Sequence, residues 1–191
     1  MSDNMRKITL GKKMPPLAMP ICLVGANVGG KPNFCTIAWF TMIDDEPPMI
    51  GLVMAKERRT KDGIMENRTF SVNLPSTAMA AATDHCGLVS GRDVDKSDVF
   101  KVFYGELGSA PLIEESPVSM ECRLSNVVEF ETTDLMVGEV VQVHVDASVV
   151  PGGKIDYAML DPLLYASGSA YHSLGEKKAD AFKVGRNYRK K

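Results

Sequence analysis

The apolar positions fall in short runs broken by turn residues, without the sustained 3.6-residue period of a helical protein. Runs over 17–28 and 33–42 are β-prone, and Gly29-Gly30-Lys31-Pro32 between them is a hairpin signal. Asp44-Asp45-Glu46-Pro47-Pro48 reads as a hydrophilic turn, because proline cannot continue a ladder. Met49 to Ala55 is nearly all apolar, the pattern of a strand buried on both faces. A helix is predicted from Thr60 to Asn67, with Thr60 as N-cap, Asp62 in the first turn and Asn67 closing it in a left-handed conformation. Phe70-Ser71-Val72-Asn73-Leu74 alternates as a half-buried strand, and the Ala/Met-rich stretch from Ala78 to Leu88 reads as helix.

The second half holds the two longest strand candidates, Val118 to Glu131 and Leu135 to Val145, with Thr133-Asp134 as the turn joining an antiparallel pair. Two shorter strands follow near residues 165 and 171. Closely spaced strands with few helices point to an antiparallel barrel, and the lack of strand–helix alternation argues against a doubly wound sheet.

A length of 191 residues suits one domain, 1–191, able to bury a core without staples. Composition is that of a soluble globular chain, 45% apolar and 24% charged, which excludes disorder, collagen and coiled coil. The net charge of -2 disfavours nucleic acid as a partner. A basic extension at about 176–191 carries seven Lys/Arg against two acids and reads as a solvated tail. No apolar stretch is long enough to span a bilayer. The N-terminus, with Arg6 and Lys7 ahead of an apolar segment, imitates a signal peptide, but Pro15, Pro16 and Pro20 interrupt it and it reads as mature protein. Cys22, Cys35, Cys86 and Cys122 lack metal-ligand or CxxC spacing, so no metal site is expected and free buried thiols in a reducing cytoplasm are.

Among candidate chemistries, the dinucleotide and Walker fingerprints are absent, and Gly87-Leu88-Val89-Ser90-Gly91 has its serine one position off a nucleophile elbow. What stands out is Lys56-Glu57-Arg58-Arg59-Thr60. It places three cations and a hydroxyl at the start of a helix, where unpaired N–H groups and the dipole favour an anion. An ordinary solvated turn has the same composition.

Asn33-Phe34-Cys35-Thr36-Ile37-Ala38-Trp39, Pro47-Pro48, Arg58-Arg59-Thr60 and Phe70-Ser71-Val72-Asn73, in that order, resemble the flavin reductase-like family of FMN-binding split barrels. The stretch Cys86 to Lys96 narrows the similarity to flavoredoxin-type members, and Pro162 to Tyr165 and Tyr171 to Gly175 extend it, over roughly 14–185. The resemblance implies a mainly β chain, a six-stranded antiparallel Greek-key split β-barrel with flanking helices, forming a homodimer around noncovalent FMN. It implies that Thr60 and Arg58 hold the phosphate, that Asn33, Thr36 and Trp39 lie along the ribityl chain and ring edge, that Lys96 approaches the flavin and that Tyr171 stands near the ring. A cation near the ring would raise its reduction potential. Many members carry a His just ahead of a Gly-Glu-Val-Val strand; here that place is Leu135, before Gly138-Glu139-Val140. The expected function is electron transfer between a protein donor such as ferredoxin and an acceptor. The alternatives are an NAD(P)H:flavin oxidoreductase and a non-catalytic flavin-binding barrel.

Overall fold

The computed structural model describes residues 7–15, 17–166, 169–186 and 188–189. Arg6, Pro16, Lys190 and Lys191 of the segments discussed above lie outside them. In chain order the elements are β1 (Ala18–Pro20), β2 (Cys22–Val28), β3 (Lys31–Ile37), β4 (Phe40–Asp45), β5 (Pro48–Ala55), α1 (Arg59–Asn67), β6 (Thr69–Leu74) and α2 (Ala80–Leu88). There follow β7 (Val102–Phe103), β8 (Leu112–Ile113), β9 (Val118–Glu129), β10 (Thr133–Val145), α3 (Tyr157–Leu160), β11 (Leu164–Ala166) and β12 (Ala170–His172).

Seven antiparallel strands, one more than the resemblance implies, form the main sheet in the order β3-β2-β6-β9-β10-β5-β4. The chain passes from one edge strand, β3, directly to the other, β4. The sheet therefore curls until its edges approach, and the backbone N–H of Val53 donates to the Trp39 carbonyl at 2.8 Å, carrying the β4–β5 pairing one residue back toward β3. No ladder joins β3 to β4, so the barrel stays split there. Trp39 stands in the split.

The β2–β3 hairpin is as the sequence predicts. Gly29 and Gly30 both have positive φ, +58° and +79°, the requirement of a two-residue turn that matches strand twist. Alternate residues of the hairpin then serve two cores. Cys22, Val24, Ala26, Cys35 and Ile37 join Leu52, Met54, Phe70 and Met136 inside the barrel, while Leu23 and Phe34 pack outside it with Cys86, Phe100 and Ile113. All four cysteines are free and buried.

Several expectations need correction. The N-cap of α1 is Arg58, not Thr60, which lies inside the first turn and is buried. The left-handed residue closing the helix is Arg68 (φ 60°), one beyond Asn67, whose side-chain amide instead donates to Gly63 and Asn27 carbonyls. The turn between β9 and β10 spans 130–132, closed by the Phe130 N–H to the Thr133 carbonyl at 2.9 Å, and Thr133 and Asp134 belong to the strand. The run from 33 to 42 is broken at Ala38–Trp39, where the chain changes edges.

Finally, β6 is buried on both faces. Ser71 donates to the Pro111 carbonyl, and Asn73 accepts from the Ile113 N–H at 3.0 Å and donates to the Leu23 carbonyl at 3.0 Å. Alternation of polar and apolar residues signals solvent only where no second layer supplies hydrogen bonds.

Candidate functional site

The site begins where β5 runs into α1. Arg59 and Thr60, which open this helix ahead of its i→i−4 ladder, line a small cavity of about 110 Å³. Cys35, Glu57, Arg58, Arg59, Thr60, Ser90, Gly91 and Lys96 contribute to its lining. Asn33 braces it from β3, its amide donating to Thr60 Oγ1 at 2.7 Å. Gly91 lies so close to the Asn33 side chain that a Cβ there would collide with it. Thus Asn33, Arg58, Thr60 and Lys96 come together, from three separate parts of the chain.

Lys96 is no surface charge: it is 2% exposed. Its Nζ donates to the carbonyls of Cys86 and Val89, each at 3.3 Å, and Arg58 Nη1 donates to the Gly87 carbonyl at 3.1 Å. Both cations therefore sit on the last carbonyls of α2, where the helix dipole is negative. Neither has a carboxylate partner among the described residues. Burial pushes the Lys96 ammonium below its usual pKa, with the Arg58 charge adding to that and the Cys35 and Cys86 thiols opposing it. The same burial raises the Cys35 thiol, and pushes the Cys86 thiol up to about 11, so neither is a ready nucleophile. A buried lysine, a half-buried arginine, a hydroxyl and the start of a helix converging on one cavity form a donor set for an anion such as a phosphate.

The other sequence-predicted residues lie apart from this cluster. Thr36, on the opposite face of β3 from Asn33, donates to the Thr83 carbonyl of α2. Tyr171 also reaches α2, donating to Asp84 Oδ1 at 2.7 Å, and its hydroxyl is raised to about 12 by burial and by that carboxylate. Its ring centroid is 6.1 Å from that of Tyr165. Tyr165 in turn lines a larger cleft, about 540 Å³, with Trp39, Phe40, Val53 and Leu135. Trp39 is 43% exposed, and none of the described side chains lining this cleft is charged. β3 and the two residues after it thus link two unlike surfaces, a cationic cavity at Asn33 and an apolar cleft at Trp39, six residues apart in the chain.

The Flavin reductase like domain model matches residues 14–175. The chain belongs to the flavin reductase-like family. Among solved structures, this flavin reductase-like chain is similar to a flavoredoxin from Methanosarcina acetivorans, at 40% identity and TM-score 0.91, covering 95% of this chain and 98% of that one. It is also similar to the flavoredoxin of Desulfovibrio vulgaris (Miyazaki F), at 30% identity and TM-score 0.88, over 95% and 100% of the two chains. An FMN-binding protein from Thermus thermophilus, with bound p-hydroxybenzaldehyde, is 27% identical with TM-score 0.78, over 92% and 99%.

Sequence reasoning missed Arg92 and Asp62 as partners. Arg92 Nη2 and Arg59 Nη1 both donate to Asp62 Oδ2 at 2.8 Å, which ties the 90–95 loop to α1. It also missed Asp134, which is buried against Lys61 and Lys56 and anchors α1 to β10. Nothing local announces either contact, since each joins residues far apart in the chain.

Proposed function

We propose that the chain is an FMN flavoprotein that carries electrons between a protein donor, such as a ferredoxin, and an acceptor. The observation that carries this reading is the pairing of the buried Lys96 with the half-buried Arg58 at the α1 cavity, with no carboxylate among the described residues to neutralise them. Two such cations are costly to leave uncompensated, and a phosphate dianion offsets that cost. The family membership and the similarity to an FMN-binding protein and two flavoredoxins support FMN as the group.

Bound FMN supplies reversible one- and two-electron chemistry. Thr60 and the α1 N–H groups donate to its phosphate, while Arg58 and Lys96 neutralise it. Asn33 fixes the Thr60 hydroxyl, and Thr36 lies further along β3. The apolar cleft at Trp39 and Tyr165, with Tyr171 behind it, offers the dry surface that a flat ring needs.

Leu135 favours a protein donor over a nicotinamide. It lines the cleft where many family members carry a His, and the cleft offers no cation to a nicotinamide dinucleotide. The test is the visible spectrum of the purified protein with NADPH, then with reduced ferredoxin. Slow bleaching by NADPH and fast bleaching by ferredoxin are expected. Fast bleaching by NADPH would replace the carrier with an NAD(P)H:flavin oxidoreductase, and a colourless protein that ignores added FMN would leave a structural barrel.

A further inference from the structure

A second cavity, of about 260 Å³, lies against the one at the start of α1. Arg59, Gly91 and Lys96 line both, so they form the partition between them. The charges on the two sides differ. On the inner side Arg58 and Lys96 have only carbonyl partners. On the outer side the cations other than the shared Lys96 are already matched: Lys31 meets Asp95 at 2.7 Å, and Arg59 and Arg92 both meet Asp62 at 2.8 Å. One phosphate in the inner cavity therefore finds two uncompensated cations. A second phosphate, beyond the partition, would share Lys96 with the first and otherwise find neutralised cations and the carboxylates Asp93 and Asp95.

Arg92 also closes the partition sterically. Besides its bond to Asp62, its Nε donates to the Glu57 carbonyl at 3.3 Å and its own N–H donates to Ser90 Oγ at 3.1 Å. The guanidinium thus bridges the loop after α2 to the turn before α1. Gly91, packed on the Asn33 amide, leaves that loop no room to retreat inward. The inner cavity, about 110 Å³, is small for a group that continues past the phosphate.

We infer that Arg92, held by Asp62, makes this site specific for a terminal phosphomonoester, so that it takes FMN and rejects FAD, whose phosphate continues into a pyrophosphate. This rests on the FMN reading above. Exposed ion pairs contribute little to stability, so the role of Arg92 lies in where it stands and not in holding the fold together.

The test uses the full chain. It is equilibrated with equal amounts of FMN and FAD, freed of unbound flavin, and the retained flavins are released by acid and separated. The wild type is expected to retain mostly FMN. Arg92→Ala should narrow the FMN:FAD ratio about tenfold, equivalent to about 1.4 kcal/mol. Asp62→Asn, which releases Arg92 and Arg59 while keeping both arginines, should narrow it in the same direction, and Arg92→Lys should remain nearer the wild type. A wild type that retains FAD as readily as FMN overturns the inference. So does an unchanged ratio in both Arg92→Ala and Asp62→Asn when their unfolding midpoints match the wild type, although FMN binding then stands. A wild type that retains neither flavin overturns the FMN reading itself.

Discussion

Lys96 brings a positive charge into the interior, where backbone carbonyls are its only hydrogen-bond partners among the described residues. Removing a buried, unpaired charge is often neutral or stabilising, whereas removing a ligand's counter-charge weakens binding. Lys96→Met should therefore leave the flavin-free protein as stable as the wild type, or more so, while weakening FMN by about 1–3 kcal/mol. Thermal unfolding of the flavin-free protein and an FMN titration separate the two effects, and a variant unstable without flavin but normal in affinity would make Lys96 a structural residue. Arg58→Ala should weaken FMN by a similar amount, about 1–3 kcal/mol, since it loses a charge-assisted contact. Thr60→Ala is a less clean variant, because Thr60 is buried and its loss orphans the Asn33 amide. Thr60→Ser keeps the hydroxyl and should bind FMN normally. The sequence shows the cations and hydroxyl at 58–60 plainly, yet it leaves Lys96 looking like one charge among several in a polar loop. Its burial follows only from where the loop after α2 lies.

At the scale of the element, the position of α1 decides whether a phosphate cavity exists. Gly63 faces β2 so closely that a Cβ would strike the Asn27 carbonyl and lie 2.8 Å from Val28 Cγ2. Asn67 adds a bond to the same carbonyl at 2.8 Å, and Lys61 pairs with the buried Asp134 of β10. In an exposed helix, Gly to Ala would stabilise by about 1 kcal/mol. Here the clash is with backbone, so α1 must move away from β2, at a cost of about 1–3 kcal/mol. Gly63→Ala should consequently lower the unfolding midpoint by several degrees, taking about 2–4 °C per kcal/mol for a chain this size. It should also weaken FMN, because the start of α1 shifts from Asn33 and Gly91. A raised midpoint with unchanged affinity would show that α1 is free to adjust. Helix α1 was legible from its composition. Its exact caps were not, since the turn at Arg58 is set by the path of β5 and the left-handed residue by the start of β6.

At the scale of the whole molecule, acid sensitivity centres on Glu121. Its carboxylate is fully buried beneath the 105–107 turn and accepts from the Glu106 N–H at 2.9 Å, the Leu107 N–H at 2.7 Å and His144 Nε2 at 2.8 Å. Burial opposes the charge, but the three donors together outweigh it and hold the carboxyl below its ordinary value of 4.5. A carboxyl lowered in the folded state stabilises the fold above its unfolded pKa, and that stability is lost as the pH falls through the folded value. The midpoint of unfolding should therefore vary little with Glu121 at neutral pH and fall below about pH 4.5. Glu121→Gln should be less stable at neutral pH, where it loses the charge-assisted bonds, and should show a shallower acid slope. Parallel pH profiles for the two proteins would assign the acid loss to other groups.

By itself the sequence determined the mainly antiparallel β class, the β2–β3 hairpin, the long β9–β10 pair and the cations and hydroxyl at the start of α1. These are local signals: two glycines that permit positive φ, apolar runs of strand length, and cations next to a helix terminus. Tertiary structure decided which of those residues share a site. It turned Asn33 toward Thr60 and Thr36 toward α2, as strand alternation requires once both faces of β3 are covered. It buried Ser71 and Asn73 under the segment before β9, and it set Arg92 across the cavity through an aspartate thirty residues earlier. The physical reason is common to all three. A hydrogen bond or ion pair between distant residues has no signature in chain spacing, and it exists only once the sheet has curled and its two helices have docked.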